Sequence, residues 1–303
     1  MNIRKSPVMG HLFAIFCVTA WGTSFLISKS LMSKLAPAQL MWLRFVIAYL
    51  AMWAVCPRWQ FLGKEEWRVF FLSLIGNTLY FFSENTALQL TQATNVSILV
   101  SSAPIISILL LRFFHQGVRL SPRKLIGIVL AFLGVLLVVF NGVFVLKLNP
   151  VGDALALMAA LFWALYGFLA KPILEKHESA LITRKLMFYG IITSAPLLLM
   201  EGHPFSALHE LIFRDFCGLF YLGLICSALC YLLWNHAIDR LGALTANLYV
   251  YAVPLVTMLS SALFLREIIT GVGMLGIILV VGGMMLSSFE RGGSVLTIAN
   301  TDN

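Results

Sequence analysis

Two ionisable side chains interrupt long apolar stretches of this sequence, and they are the strongest candidates for chemistry. Arg44 lies in the apolar window 36–56, and Glu84 lies near the end of the window 67–89. Arg44 follows about eight residues of its window, which is roughly 12 Å along a helix. A charge at that depth in a bilayer is costly unless it is paired or functional. We predict gating or coupling roles for the two residues. In one interpretation they form an ion pair that locks the helix packing or an outer gate. In the other, either residue contacts a substrate or a coupling proton. Alternatively, Arg44 extends to the membrane surface.

Two prolines, Pro104 and Pro254, lie within other apolar windows and are candidates for the same gating group. Proline has no backbone N–H, so the carbonyls of Val100 and Val250 lose their helical partners. A freed carbonyl at membrane depth needs a neighbour, a water molecule or a ligand. Each proline therefore indicates either a kink that shapes helix packing or a hinge beside a cavity.

Aromatic and neutral polar side chains recur near the middle of the apolar windows. Such residues serve more often in packing or in interfacial belts than in ligand contact. Their convergence on one region nevertheless predicts a cavity suited to an amphipathic or apolar substrate rather than a polyanion. The predicted substrate-binding residues are Trp21, Ser24, Asn77, Tyr80, Ser101, Trp163, Tyr166, Asn247 and Tyr251.

Motifs for catalysis or metal binding are absent from the sequence. There is no phosphate-binding G-x-x-x-x-G-K-[ST] loop and no His-Glu-x-x-His segment. The five cysteines lack metal-ligand spacing, and Glu84 is the one strong carboxylate within an apolar window. We therefore expect no enzyme activity, no catalytic residues, no metal and no cofactor.

The elements that position these residues are long apolar helices. Hydrophobic residues make up 60% of the 303 residues and charged residues only 11%, whereas soluble domains have about 25% charged residues. The sequence predicts an all-α integral membrane protein embedded in the lipid bilayer, because a spanning helix needs roughly 20 apolar residues. The ten predicted transmembrane helices are 9–29, 36–56, 67–89, 94–114, 123–141, 151–171, 180–200, 214–234, 243–265 and 271–288.

These ten helices form two similar sets of five. Pro104 and Pro254 are repeat partners, as are Trp21 and Trp163. Five is odd, so each set ends on the opposite side of the membrane from its start, and the second copy is inverted. Inverted repeats with a site between them are typical of secondary transporters. The predicted boundaries are 1–145 and 146–290 for the two five-helix repeats, and 291–303 for a disordered cytoplasmic tail.

The net charge of +8 reflects membrane topology rather than nucleic-acid binding. With the N-terminus inside, fifteen of the 21 Lys and Arg residues fall on the inner side, five fall on the outer side, and Arg44 lies within the membrane. This bias predicts cytoplasmic termini in a plasma-membrane protein. No basic stripe interleaved with aromatics is present, so we expect no nucleic-acid partner.

Small residues recur at close-approach spacing in the fifth and tenth windows. They are Gly127, Ala131, Gly134, Gly276, Gly282 and Gly283. Such residues let two helices approach closely. The two helices could belong to one chain or to two protomers, which leaves a homodimer open.

Several short motifs carry a family resemblance when their order and spacing are taken together. They are Trp21-Gly22-Thr23-Ser24-Phe25, Leu43-Arg44-Phe45, Ala93-Thr94-Asn95-Val96-Ser97 with Ala103-Pro104, Asn235-His236-Ala237-Ile238, Gly242-Ala243-Leu244-Thr245-Ala246-Asn247 with Val253-Pro254, and Phe264-Leu265-Arg266-Glu267 with Gly271 and Gly276. Over nearly its whole length the chain resembles the EamA type of the drug/metabolite transporter superfamily. One departure is Phe114-His115-Gln116-Gly117, which lacks the usual Glu.

The resemblance implies ten helices in an inverted 5+5 repeat and alternating access to a central cavity. Members of the family move small organic solutes, often outward, and include amino-acid exporters. We therefore expect a gradient-driven carrier of small molecules such as amino acids or related metabolites. A passive channel or facilitator is the alternative, and a non-transporting membrane enzyme is a weaker one.

Overall fold

The described part of the protein is entirely helical. The computed structural model describes residues 6–91, 93–114, 121–140, 149–201, 206–265 and 269–288. The predicted tail 291–303 and the motif residues 115–117, Arg266 and Glu267 lie outside these ranges. The α-helices are α1 (Pro7–Leu31), α2 (Pro37–Val55), α3 (Glu66–Ser73), α4 (Tyr80–Leu90), α5 (Ala93–Val100), α6 (Ala103–Phe114), α7 (Pro122–Phe140), α8 (Pro150–Leu174), α9 (Ser179–Met200), α10 (Phe213–Phe220), α11 (Cys230–Leu241), α12 (Ala243–Leu248), α13 (Ala252–Leu265) and α14 (Gly271–Ser288).

Seven helices of the described chain are long and apolar enough to cross a membrane. They correspond to seven of the ten predicted windows: Pro7–Leu31, Pro37–Val55, Val96–Phe114, Pro122–Phe140, Pro150–Leu174, Phe213–Leu241 and Ala243–Ser260. An eighth window is the shorter apolar helix Gly271–Ser287. The windows 67–89 and 180–200 are helical as well. The protein is a multi-pass membrane protein, and many large apolar side chains on its outer surface, such as Leu157 of α8 and Leu263 of α13, are exposed for contact with lipid.

Two segments of π-helix interrupt the helical stretches, and they occupy repeat-related positions. Leu74–Leu79 joins α3 to α4, and Tyr221–Leu229 joins α10 to α11. The ends of the two segments, Leu79 and Leu229, are 150 positions apart, as are Pro104 and Pro254. Runs of π-helix are rare and occur frequently at functional sites.

Helices α7 and α14 pack against each other through the predicted small residues. A Cβ atom placed on Gly134 would lie 2.6 Å from the backbone nitrogen of Val280 and 2.8 Å from the carbonyl oxygen of Gly276. A Cβ on Gly127 would lie 2.6 Å from the carbonyl oxygen of Gly283. The close approach therefore joins two helices of one chain. Gly282 faces away from this seam, with no atom within 4 Å of its Cβ position.

Helix α8 packs against several other α-helices. It contacts α4, α5, α6 and α11, while α1 contacts α11 and α13, and α2 contacts α9. Alanine residues on the inner face of α8, including Ala156, Ala160 and Ala164, are fully buried. Their small side chains allow neighbouring helices to approach closely.

Charged side chains form a network where α2 ends and α3 and α9 begin. The Glu65 carboxylate accepts a hydrogen bond from Lys176 Nζ at 2.8 Å and also pairs with His177. These hydrogen bonds, with that from Lys176 the largest influence, lower the pKa of Glu65 from 4.5 to about 2. Nearby, Lys185 Nζ lies 2.6 Å from the Glu66 carboxylate. The sequence assigns these basic residues to the inner side.

A second polar group lies where α1 meets α2 and α10. Lys34 Nζ lies 2.6 Å from the Asp215 carboxylate. The Glu201 side chain accepts hydrogen bonds from the backbone N–H groups of Ala38 and Gln39 and so caps the first turn of α2. The sequence assigns Lys34 to the outer side.

Candidate binding cavity

A cavity of about 50 Å³ lies between helices from both of the predicted repeats. Its wall is formed by side chains from α1, α2, α4, α5, α8 and α11 and from the residues around the start of α13. Seven of the thirteen predicted site residues are among the lining residues: Trp21, Ser24, Arg44, Tyr80, Glu84, Ser101 and Trp163. The others are Phe25, Ser28, Phe81, Leu88, Ser97, Val100, Tyr231, Val250 and Val253.

Arg44 is only 3% exposed, and its surroundings hold the guanidinium in place on two sides. Its Nε donates a hydrogen bond to Ser227 Oγ at 3.3 Å. Its Cζ lies 4.4 Å from the centre of the Phe81 ring, within range of a cation–π interaction. Within the described chain, its terminal nitrogens make no hydrogen bond. Arg44 therefore points into the protein and does not extend to the membrane surface.

Glu84 is 7% exposed and shares the cavity wall with Arg44. Its Oε1 accepts a hydrogen bond from the Tyr80 hydroxyl at 2.8 Å, one turn earlier on α4. An ion pair requires a nitrogen and a carboxylate oxygen within about 4.0 Å of each other. Among the described residues, the pairs that meet this limit do not include Arg44 with Glu84, so the suggested ion pair is not formed. Tyr80 and Phe81 provide the alternative partners. Both side chains instead line the cavity, and each keeps polar atoms that have no hydrogen-bond partner among the described residues.

The aromatic wall of the cavity is built around Trp163. The Trp21 ring meets it edge-on with centroids 5.2 Å apart, and the Tyr80 ring lies 5.0 Å away. Trp234, 4.9 Å from Trp21, extends the cluster behind the wall. Trp21 and Trp163, which the sequence predicts to be repeat partners, therefore contact each other in the cavity wall.

Two of the aromatic lining residues bind the π-helical segments. Trp21 Nε1 donates to the carbonyl oxygen of Cys226 at 3.0 Å, and the Tyr231 hydroxyl donates to the carbonyl oxygen of Gly76 at 2.8 Å. Gly76 and Cys226 are 150 positions apart, which is also the separation of Pro104 and Pro254. The corresponding carbonyl in each π-helical segment thus accepts a hydrogen bond from an aromatic side chain of the cavity wall.

Four predicted binding residues pack outside the cavity wall. Asn77 donates to the carbonyl oxygen of Leu186 at 2.9 Å, and the Tyr166 hydroxyl donates to the Asn235 side chain. Asn247 donates to Ser107 Oγ at 2.7 Å. Tyr251 is fully buried beside α7. Neighbouring helices thus bind the Asn77, Tyr166 and Asn247 side chains, whereas the Tyr251 hydroxyl has no hydrogen-bond partner among the described residues. Sequence alone does not separate such a buried structural role from ligand contact.

Neither predicted hinge proline lines the cavity, although both are buried. The residues four positions earlier, Val100 and Val250, do line it. The α-helices are interrupted nearby, and these interruptions are called breaks. Beside the first proline, α5 ends at Val100 and α6 begins at Ala103, and beside the second a short 3₁₀ turn, Tyr249–Tyr251, precedes α13. The prolines therefore lie next to these breaks, and their predicted hinge role stays a prediction.

The cavity also contains residues that the sequence-based prediction omitted, and a helical pattern connects several of them. Ser28 lies one turn after Ser24, and Ser97 lies one turn before Ser101. Extending each predicted residue by one helical turn would have found these hydroxyls. Phe81 lies one turn before Glu84 and would have been found in the same way, whereas Ser227, which accepts the hydrogen bond from Arg44, carries no such signal.

Comparison with known proteins identifies the family. Residues 8–140 and 150–289 both match the EamA-like transporter family. The chain belongs to this family. The resemblance drawn from the short motifs is thus confirmed, and the EamA-like chain is a membrane transporter rather than an enzyme.

Two relatives of this EamA-like transporter align with more than nine-tenths of its length. An uncharacterized transporter of Archaeoglobus fulgidus is 30% identical over 289 residues, covering 93% of this chain and 98% of its own. A probable amino-acid metabolite efflux pump of Escherichia coli K12 is 25% identical and covers 94% and 95% of the two chains. A crystal structure with 18% identity superposes with a TM-score of 0.73, covering 93% and 97%, and supports the fold.

Proposed function

We propose that this EamA-like protein is a secondary transporter that exports small organic solutes, such as amino acids or related metabolites, by alternating access to the central cavity. The observation that carries the proposal is the composition of the wall. Trp21, Arg44 and Glu84 come from the first sequence repeat, and Trp163 and Tyr231 come from the second. A site between two repeats opens to either side when the repeats rock against each other.

The proposed architecture has ten spanning helices in two inverted sets of five, in the plasma membrane with both termini cytoplasmic. Two stretches of the chain match the family, which supports the repeat. The two π-helical segments and the two chain breaks at Val100 and Tyr249–Tyr251 occur at corresponding positions and support it further. The orientation rests on the distribution of basic residues.

The substrate class rests on the relatives and on the wall. Relatives from Escherichia coli and Salmonella typhimurium, each 25% identical, are named probable amino-acid metabolite efflux pumps. The wall combines aromatic rings with serine hydroxyls and two charges, which suits small amphipathic solutes.

Counterflow in liposomes tests the carrier mechanism against the channel alternative. Purified protein is reconstituted into vesicles loaded with unlabelled amino acids, and uptake of the labelled compound is followed. A carrier shows trans-stimulated uptake, since a loaded site returns faster than an empty one. Uptake that is indifferent to the internal solute but occurs at high flux would contradict alternating access and favour a channel.

A further inference from the structure

The cavity wall carries one cationic and one anionic side chain of the described residues, and they do not bind each other. We propose that Arg44 binds the carboxylate and Glu84 binds the ammonium group of a zwitterionic α-amino acid. This assignment rests on the proposed transport function and adds the groups that determine specificity.

The Arg44 side of the site is prepared for a carboxylate. The Phe81 ring covers one face of the guanidinium, and Ser227 accepts the hydrogen bond from Nε. The guanidinium is therefore held in position, while the N–H groups of its terminal nitrogens stay free, among the described residues, to donate. A planar guanidinium pairs with a carboxylate through two parallel hydrogen bonds. Lysine does not reproduce this fork.

The Glu84 side is prepared for a compact cation. The Tyr80 hydroxyl binds Oε1 and fixes the carboxylate, whereas Oε2 has no hydrogen-bond partner within the described chain. The rings of Tyr80 and Trp163 lie side by side in the same wall, and aromatic faces attract ammonium groups. Oxygen and ring faces together form a suitable environment for an ammonium group.

Binding requires both the carboxylate and the ammonium group of the ligand, because the cavity wall carries two opposite charges. A zwitterion compensates Arg44 and Glu84 at once. A simple amine or a simple carboxylate leaves one of the two buried charges without a partner, and an uncompensated buried charge is strongly unfavourable. Amino-acid amides and N-acetyl amino acids should be rejected for the same reason.

The size of the cavity favours small side chains. Its volume of about 50 Å³ exceeds the roughly 10–15 Å³ that is needed to hold one water molecule, but it is small for a binding site. Glycine, alanine and serine match this space best, and the hydroxyls of Ser24, Ser28, Ser97 and Ser101 offer hydrogen bonds to a polar side chain.

The test is a binding panel on the full-length protein. Each of the twenty amino acids is compared with its amide and its N-acetyl derivative by thermal shift in detergent and by counterflow in liposomes. We expect at least one free amino acid to bind about tenfold or more tightly than both derivatives, with small ones preferred. Equal binding of a derivative, or binding only of simple amines or carboxylates, would overturn the proposal.

Matched variants assign the two ends. Arg44→Gln should remove discrimination between an amino acid and its amide but keep discrimination against the N-acetyl form, and Glu84→Gln should do the reverse. Arg112→Gln and Glu210→Gln remove exposed charges outside the cavity and should retain the parental pattern. If either cavity variant folds and keeps both discriminations, the assignment is wrong.

The same measurements separate this proposal from the transport function on which it rests. Zwitterion binding without trans-stimulated flux would contradict the carrier but support the assignment of Arg44 and Glu84. Trans-stimulated flux of a non-zwitterionic solute would support the carrier and contradict the assignment.

Discussion

Trp21 donates its indole N–H to the carbonyl oxygen of Cys226 at 3.0 Å, and this bond joins the cavity wall to a π-helical segment. The bond from Tyr231 to Gly76 does the same at the repeat-related position. A buried backbone carbonyl needs a hydrogen-bond donor, and π-helical segments are rare and occur frequently at functional sites. A ligand that moves either ring would therefore also disturb a π-helical segment.

Replacing Trp21 by Phe tests this connection. The variant keeps an aromatic ring but leaves the Cys226 carbonyl without its donor, and we expect a loss of about 1–3 kcal/mol in stability. Thermal unfolding in detergent measures the loss, and Tyr231→Phe should produce a similar one at Gly76. Unchanged melting of both variants would show that water replaces the two donors.

The α7–α14 seam gives a sharp contrast between two glycines. Gly134→Ala places a methyl group 2.6 Å from the Val280 backbone nitrogen, so the helices must separate, at a cost of about 1–3 kcal/mol. Gly282→Ala meets no atom within 4 Å and should stabilise the helix by about 0.4–1 kcal/mol. Melting temperatures of the two variants should move in opposite directions. A tolerated Gly134→Ala would mean that the seam is looser than described.

Glu65 should give the protein an acid-sensitive contribution to stability. Its pKa falls from 4.5 to about 2 because Lys176 and His177 bind the carboxylate. A depressed folded-state pKa means that the contribution is complete above about pH 4.5 and disappears as the pH falls toward 2. The difference in melting temperature between the parent and Glu65→Gln should therefore be constant from pH 7 to 5 and shrink below that. The exposed Glu210→Gln is the control, and a difference that grows on acidification would contradict this account.

Glu84 is the candidate for proton coupling in transport. If it carries the coupling proton, Glu84→Gln abolishes the dependence of flux on a pH gradient, because the amide does not titrate. Liposome uptake with and without an imposed gradient measures this dependence. A variant that retains the parent's full dependence would exclude Glu84 as the proton site, and parental transport that ignores pH would exclude proton coupling altogether.

The two prolines should influence transport rate more than binding. Pro104→Ala and Pro254→Ala restore an N–H that can pair with the carbonyl of Val100 or Val250, which straightens the breaks beside the cavity. We expect slower counterflow with nearly unchanged ligand-induced thermal shifts. Equal losses in binding and flux would indicate that the prolines only shape the wall.

Sequence reasoning located much of the cavity and failed at identifiable places. Arg44, Glu84, Trp21 and Trp163 were recognisable because charges and paired aromatics are unusual in apolar windows. Asn77 and Tyr251 carry equally polar groups at similar depth, yet neighbouring helices bury them away from the cavity. Which face of a helix turns inward depends on the shapes of its neighbours, and that information is spread over the whole chain.

The sequence by itself determined the membrane class, the helices, the doubled pattern and the family, because each rests on composition or on local spacing. Only the tertiary structure decided how the buried charges are used. Arg44 is held by Phe81 and by Ser227, which is 183 positions away, and Glu84 is held by Tyr80. An ion pair needs two side chains to meet within about 4 Å, and the packing of α2, α4 and the second π-helical segment keeps this pair apart beside one cavity.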